Sequence, residues 1–216
     1  MPANVAVLRN AARFLLQHDR ETAADILKKA QAAEPKNAEV AQQLGQLYKL
    51  DIIWVEGKER REKAALAMAQ FRIAVTHQGD SKNHYLLGDL AMVSVEAGEL
   101  NLAKQYATQL LETSDRPKAI HHGNLVLGRV ALRNGDFDSA KRHLIASADG
   151  VKGGPGLSTS GPNMTLAKEL LEKGEGAVVL DFFELCRKFW KDDTLKKWIG
   201  VVKRGEMPDF GANLAY

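Results

Sequence analysis

Three histidines are the residues of this chain that most invite a catalytic or metal-binding role. His121 and His122 are adjacent, and His143 follows in the next predicted helix. Adjacent side chains on a helix point about 100° apart, and no His-Glu-x-x-His sequence is present, so a zinc site is a weak hypothesis. We therefore expect no metal and no cofactor, and interpret His122 as a hydrogen-bonding residue on a binding surface.

The single cysteine, Cys186, is the second candidate for chemistry. Its apolar neighbours in the sequence are Phe183, Leu185 and Phe189, and the sequence places no histidine or asparagine to activate it. We interpret it as a buried thiol rather than a nucleophile, and predict no enzymatic activity. One cysteine allows no internal disulfide, which is compatible with a cytoplasmic location, although a removed export signal is compatible with it too.

A glycine-rich segment between Gly150 and Pro162 is a candidate anion cradle. Backbone N–H groups at the start of the helix that begins near Met164 could bind an anion. The Gly-x-x-x-x-Gly-Lys-Ser/Thr sequence of ATP-binding loops is absent. A linker is the simpler interpretation, and its length would allow it to fold over a groove and gate access.

Composition limits the possible partners. The 216 residues include 30 Lys and Arg against 27 Asp and Glu, a net charge of +3 that does not indicate a nucleic-acid partner. With 45% hydrophobic and 26% charged residues the chain has the balance of a globular protein. No run of 18 apolar residues occurs, and Arg9 and Arg13 interrupt the first apolar stretch, so we expect neither a transmembrane segment nor a signal peptide within it.

An internal repeat must position these residues. The run from Leu127 to Ala140 reads Leu-Gly-Arg-Val-Ala-Leu-Arg-Asn-Gly-Asp-Phe-Asp-Ser-Ala, in which small residues allow two helices to cross closely and Gly-Asp forms the turn between them. The same register recurs at small residues spaced 34, 43, 40 and 39 apart, namely Ala11, Gly45, Gly88, Gly128 and Ala167. This pattern predicts stacked helix pairs.

The Leu127–Ala140 run closely resembles a tetratricopeptide repeat (TPR). The resemblance implies an all-α fold, a right-handed α-α superhelix of about five helix pairs with a C-terminal capping helix; an irregular helical bundle is the alternative. The segments Ala119–Arg129, Gly161–Met164 and Glu184–Trp190 also resemble a group of bacterial TPR proteins of unknown function, a likeness that implies a bacterial source and no activity.

The repeat register predicts the domain organisation. Four TPR-like repeats occupy residues 1–150, a Gly/Pro/Ser-rich loop follows, and a degenerate fifth repeat precedes a capping helix and tail. The predicted ranges are 1–36, 37–78, 79–115 and 116–150 for the four repeats, 151–162 for the loop, 163–191 for the fifth repeat and 192–216 for the cap.

In a TPR array, fixed offsets from the small residue of the first helix point into a concave groove. Applying these offsets gives a candidate peptide-binding surface that combines positive charge with apolar and aromatic side chains. Its residues are Lys82, Tyr85, Asp89, His122, Leu125, Arg129, Arg133, Met164 and Lys168. Arginine can hold a carboxylate through two parallel hydrogen bonds, which favours an acidic peptide. The alternative is that Arg129 and Arg133 are solvated or pair with Asp89 and Glu172.

The sequence thus predicts a non-catalytic scaffold that binds an extended, acidic segment of a partner protein. A second hypothesis is a self-assembling structural protein, a homodimer formed through the apolar first helix or through an exposed stripe of Trp198, Ile199 and Val202. A third and weaker one is a metal-dependent hydrolase that uses the three histidines. The fold alone does not decide between these functions.

Overall fold

The computed structural model describes residues 4–16, 18–78 and 83–214, and for residues 83 and 84 only the backbone. Over these ranges the chain forms eleven α-helices and no strand, which confirms the all-α class. Contacts divide the chain into two compact units, Met1–Glu99 and Leu100–Tyr216.

The N-terminal unit holds five helices, and each packs against the next along the chain. They are α1 (Val5–Leu15), α2 (Arg20–Ala33), α3 (Ala38–Asp51), α4 (Gly57–His77) and α5 (Asn83–Ala97). Short polar side chains begin the first three: the carboxylate or amide oxygens of Asn4, Asp19 and Asn37 accept hydrogen bonds from backbone N–H groups of the first turn. Such N-caps fix where each helix starts.

A small residue at the crossing of α3 and α4 is required by close packing. Gly45 is buried, and a Cβ atom added there would lie 2.7 Å from the ring of Phe71. Phe71 is itself fully buried. The predicted role of Gly45, to let the second helix approach the first, therefore has a physical basis in this contact.

Ten additional residues between Gly45 and Ala67, relative to the Leu127–Ala140 unit, lengthen the connection and α4. A 3₁₀ turn at Ile52–Trp54 follows α3, and α4 is 21 residues long. Arg60 ties this extension down: its Nε donates to Glu96 at 2.6 Å and its Nη1 donates to the carbonyl of Ile52 at 2.9 Å. The insertion is thus an ordered helical extension.

The C-terminal unit holds the remaining six helices. They are α6 (Leu100–Thr113), α7 (Pro117–Arg133), α8 (Phe137–Ala146), α9 (Thr165–Leu171), α10 (Gly176–Cys186) and α11 (Asp193–Lys203). Pro117 starts α7, a position that needs no N–H donor, and Gly135 ends the α7–α8 turn with φ of 80°. Asp136 then caps α8 by accepting from the N–H of Ser139 at 2.9 Å.

Gly128 plays the same part here as Gly45 in the other unit. A Cβ atom at Gly128 would lie 2.3 Å from Cδ2 of Leu166 and 3.1 Å from Cβ of His143. The missing side chain lets α7 approach both α8 and α9. This position is part of the Leu127–Ala140 run from which the repeat was predicted.

Aromatic side chains fill the core at the C-terminal end. Trp198 contacts Phe183, Trp190 and Phe210, with ring centroids 4.9 to 6.1 Å apart, and its indole N–H donates to the carbonyl of Asp209 at 2.9 Å. The predicted exposed stripe on α11 is therefore wrong in part: Trp198 and Val202 are buried. The segment after α11, which includes Phe210, covers it.

Each of the four predicted repeats contains two helices of the structure. This holds for the ranges 1–36, 37–78, 79–115 and 116–150, and the predicted cap, 192–216, contains α11. The two helices of the predicted third repeat fall in different compact units. In the described part of the chain, no helix combines the length and the hydropathy of a membrane span.

Candidate binding surface on α7 and α9

The helix α7 carries four of the nine candidate site residues, and the structure places them in two environments. His122 and Leu125 lie in its N-terminal half, and Arg129 and Arg133 lie in its last two turns. Met164 and Lys168 come from the start of α9 and the residue before it. Because α7 packs against α9, the candidate residues on these two helices lie on neighbouring elements.

Arg129 is buried, and a carboxylate on α9 holds it. Its Nε lies 3.1 Å and its Nη2 2.7 Å from Oε1 of Glu169, and Nε also lies 3.2 Å from Oε2. The arginine is 2% exposed. A buried guanidinium needs such a partner, because an unpaired charge in this position would be strongly destabilising.

Arg133 shares the same carboxylate but remains half-exposed. Its Nη1 and Nη2 donate to Oε1 of Glu169 at 3.2 and 3.1 Å, and 42% of its side chain is exposed. Two guanidinium groups therefore meet one carboxylate, which leaves one net positive charge on this cluster. We call Arg129, Arg133 and Glu169 the arginine cluster.

Electrostatics in the cluster favour the ionised carboxylate. Burial by itself would raise the pKa of Glu169, but the charges and hydrogen bonds of Arg129 and Arg133 outweigh that effect and lower it. Glu169 thus stays charged near neutral pH, and it can serve as the permanent counter-ion of the buried arginine.

The pairing differs from what the sequence suggested. Arg129 and Arg133 were expected to bind a ligand or to pair with Asp89 or Glu172, and the carboxylate they share is Glu169. Glu172 instead lies 3.8 Å from Lys168, on the same helix. The offsets that select Lys168 on α9 skip Glu169, so no motif identifies it in the sequence.

Two predicted apolar contacts belong to the core. Leu125 and Met164 are both fully buried, in the cluster of apolar residues that fills the C-terminal unit. They cannot contact a ligand without a rearrangement of that core, so we remove them from the candidate surface. Arg133 and Lys168, which is 41% exposed, are the members of the α7–α9 set that a ligand can reach directly.

The remaining three candidates lie in the N-terminal part of the chain. Lys82 is outside the described residues. Tyr85 is 50% exposed on α5. Asp89 is held by α3, because Lys49 lies 2.6 Å from its Oδ1 and Gln46 donates to its other oxygen. Asp89 thus has a clear structural function in joining α3 to α5.

His121 is a core residue that joins three segments. Its Nδ1 lies 3.0 Å from the carbonyl of Ser147, at the end of α8, and its Nε2 accepts the N–H of Asn163 at 2.9 Å. These contacts assign the proton to Nδ1 of a neutral ring. Burial lowers the pKa of His121 to about 4, more than its two backbone contacts raise it.

The histidine triad considered for metal binding is not assembled. Both ring nitrogens of His121 contact backbone groups, and Nδ1 of His143 lies 3.0 Å from the side-chain oxygen of Asn124. Among the residues that the structure describes, no three His, Cys, Asp or Glu side chains are grouped so as to hold a metal ion.

Cys186 lies in α10 with its side chain fully buried among apolar residues. Burial raises the pKa of its thiol well above the ordinary value. Because the thiolate is the nucleophilic form, this environment makes the residue unreactive at neutral pH.

The comparisons with known proteins give no family for this chain. No protein-family model matches it. No curated protein matches it significantly either.

Proposed function

We propose that this chain is a non-catalytic TPR-type interaction scaffold that binds an extended, acidic segment of a partner protein on α7 and α9. The observation that carries the proposal is the arginine cluster, in which a half-exposed Arg133 shares one carboxylate with the buried Arg129. Because 42% of its side chain is exposed, Arg133 can bind a second anionic group from solvent while it contacts Glu169.

The fold supports the same proposal. Helices pack in consecutive pairs, and Gly45 and Gly128 occupy the tight crossings at which a TPR array needs small residues. The right-handed superhelix and the TPR assignment are part of the proposal. Stacked helix pairs present broad surfaces, and such surfaces are commonly used to bind extended peptides.

The charge arrangement specifies the ligand. Arg133 is held in place by Glu169, so its planar guanidinium loses little further freedom when a partner carboxylate binds. Lys168 adds a second half-exposed cation, paired weakly with Glu172 at 3.8 Å on the same helix. An acidic side chain arriving from solvent gains charge-assisted hydrogen bonds here at little cost in burial.

The appropriate test reverses charge only where the structure tolerates it. Reversal of Arg129 would bury two facing carboxylates, so it would destroy folding and binding together. The double variant Arg133→Glu, Lys168→Glu changes half-exposed side chains. Peptides selected from a random display library on the wild-type protein should contain Asp or Glu and lose about tenfold or more in affinity for this variant, measured by fluorescence anisotropy.

A matched control is Arg142→Glu, which reverses an exposed charge on α8 that hydrogen-bonds Ser139. It should leave peptide affinity unchanged, and circular dichroism should show equal helix content in all three proteins. Selected peptides that lack acidic residues, or that bind the double variant as tightly as the wild type, would refute the proposal.

Self-assembly through α1 remains a second candidate because this helix exposes apolar side chains. Phe14 is 74% and Val7 is 61% exposed, and the two lie seven residues apart on one face. Exposed apolar stripes of this kind often mark interfaces between protein chains. The C-terminal route to a dimer is weaker, because Trp198 and Val202 are buried.

Sedimentation velocity over a range of protein concentrations tests self-assembly. A dimer that dissociates when Phe14 is replaced by Glu would support it, because a carboxylate in an apolar interface is costly. A monomer at all concentrations would eliminate this candidate and leave the peptide-binding proposal untouched.

A further inference from the structure

A cavity of about 110 Å³ lies between the first two turns of α7 and the loop that follows α8. Polar side chains and glycine backbone line most of it. The lining residues are Lys118, His122, Gly156, Leu157, Ser160, Gly161 and Asn163. This set carries a cation and several hydrogen-bonding groups, and it includes no carboxylate.

The loop wall of the cavity is held by hydrogen bonds from two directions. On one side, Nε2 of His121 accepts the N–H of Asn163 at 2.9 Å. On the other, Nδ2 of Asn213 donates to the carbonyls of Ser160 and Pro162 at 2.9 and 3.0 Å. The C-terminal segment thus fixes the loop before any ligand arrives, which lowers the entropy cost of binding.

Gly161 is required for this wall. Its φ of 84° is in the left-handed region, and a Cβ atom there would lie 2.6 Å from the ring of Trp190 and 2.8 Å from Nδ2 of Asn213. The buried indole and the bonded amide leave no room for a side chain. The backbone of this stretch is therefore packed against the core.

At the start of α9, which the sequence suggested as an anion site, one backbone N–H is already bonded. The side-chain oxygen of Asn163 accepts from the N–H and the hydroxyl of Thr165, at 2.8 and 2.6 Å. A ligand that bound this N–H would have to displace Asn163. The cavity adjoins this contact, since Asn163 is also one of its lining residues, but its cation, Lys118, comes from α7.

We propose that this cavity binds a small oxyanion, a carboxylate or a phosphate group. Lys118 supplies the positive charge, and the hydroxyl of Ser160 supplies a hydrogen bond. A volume of about 110 Å³ suits one such group, since pockets for drug-sized ligands are roughly 300 Å³ or larger. His122, 5% exposed, forms part of the α7 wall of this cavity.

Two sources can deliver an oxyanion to this cavity. One is a free phosphate compound. The other is a carboxylate of the acidic segment invoked above, and this source rests on the proposed function: His122 precedes Arg133 by 11 residues on α7. That separation is about 17 Å along a helix, or about five residues of an extended peptide.

The experiment is a titration of the isotope-labelled full chain with inorganic phosphate and, separately, with acetate, at constant ionic strength and neutral pH. Two-dimensional NMR should show saturable shifts concentrated at the backbone amides of His122, Ser160 and Gly161. Lys118→Gln should weaken the binding by about tenfold, because it removes the charge from the hydrogen-bonded contact.

Lys104→Gln is the matched control, because Lys104 is exposed on α6 and its loss changes the net charge equally. The proposal would be overturned if no saturable chemical-shift changes appeared, or if they spread over the surface lysines. Equal loss of affinity in both variants would overturn it as well. Tighter binding of phosphate than of acetate identifies a phosphate ligand; the reverse identifies a carboxylate.

The titration needs no partner, so its failure is distinguishable from failure of the proposed function. Loss of peptide binding in the Arg133→Glu, Lys168→Glu variant leaves the phosphate or acetate titration unaffected. Conversely, an inert cavity leaves the arginine cluster as the candidate peptide site.

Discussion

A nitrogen-containing side chain is buried at each end of α7, and the two are stabilised in opposite ways. At the N-terminal end His121 is kept neutral and satisfied by two backbone groups. At the C-terminal end Arg129 is charged and is satisfied by Glu169. A histidine can release its proton when buried, whereas arginine cannot, so only the arginine needs an internal counter-ion.

This difference determines what each end can bind. A ligand that reaches Arg129 must compete with Glu169, whereas the described residues that line the cavity beside Lys118 include no carboxylate. The C-terminal end is therefore suited to extended contacts through the exposed Arg133. The N-terminal end is suited to one small anionic group.

The largest expected effect is at the charged end. Replacing Glu169 by Gln removes the counter-ion of a guanidinium that is 3% exposed in its side chain. We expect the free energy of unfolding to fall by about 3 kcal/mol, measured by urea denaturation, because breaking a buried ion pair leaves one charge uncompensated.

Glu172→Gln is the control for that measurement. Glu172 is half-exposed and lies 3.8 Å from Lys168, so its loss should cost less than about 0.5 kcal/mol. Replacing both partners, as Arg129→Met with Glu169→Leu, should recover much of the lost stability, since no charge is then left buried. Equal stability of the Glu169 and Glu172 variants would show that the Arg129–Glu169 ion pair does not stabilise the fold.

The sequence allowed part of this arrangement to be predicted. Pro117 and the Leu127–Ala140 run predict α7 and its turn, and the repeat register places Arg129 and Arg133 on one face. It did not predict Glu169, because the facing residue depends on how the seven-residue α9 is rotated against α7. The segment that connects α8 to α9 is irregular, and no repeat rule describes it.

The neutral end was harder to foresee for a related reason. His121 and His122 are adjacent, and the sequence shows only that their side chains point in different directions. That the chain returns to His121 at Asn163, 42 residues later, is a property of the loop and of Asn213, which holds it. Contacts that irregular segments make over such distances leave no periodic signal in the sequence.

The second expected effect is a pH dependence that arises at the neutral end. His121 has a folded-state pKa of about 4 against an ordinary value of 6.5, so the unfolded state binds more protons between these values. Stability is therefore complete above pH 6.5 and falls as the pH is lowered toward 4. At pH 5 we expect His121 to contribute a loss of about 2 kcal/mol relative to pH 7, by urea denaturation. Burial also lowers the pKa of His143, which adds to the loss in the same direction.

The variant His121→Gln should be less stable at pH 7, because its side chain cannot reproduce both backbone contacts. The informative quantity is the difference between pH 7 and pH 5, which should shrink to less than half of the wild-type value. At pH 5 Glu169, with its lowered pKa, is still ionised and adds little to the difference. A variant that retains the full wild-type dependence would assign it to other groups.

The smallest expected effect separates folding from binding at the charged end. Arg133 is half-exposed, and Arg129 alone suffices to neutralise Glu169, so Arg133→Gln should change the free energy of unfolding by less than about 1 kcal/mol. The same variant should lower the affinity for an acidic peptide selected on the wild-type protein, because it removes the one guanidinium of the cluster that reaches solvent. If its stability fell as far as that of Glu169→Gln, Arg133 would be a structural residue, and the peptide surface would have to lie elsewhere.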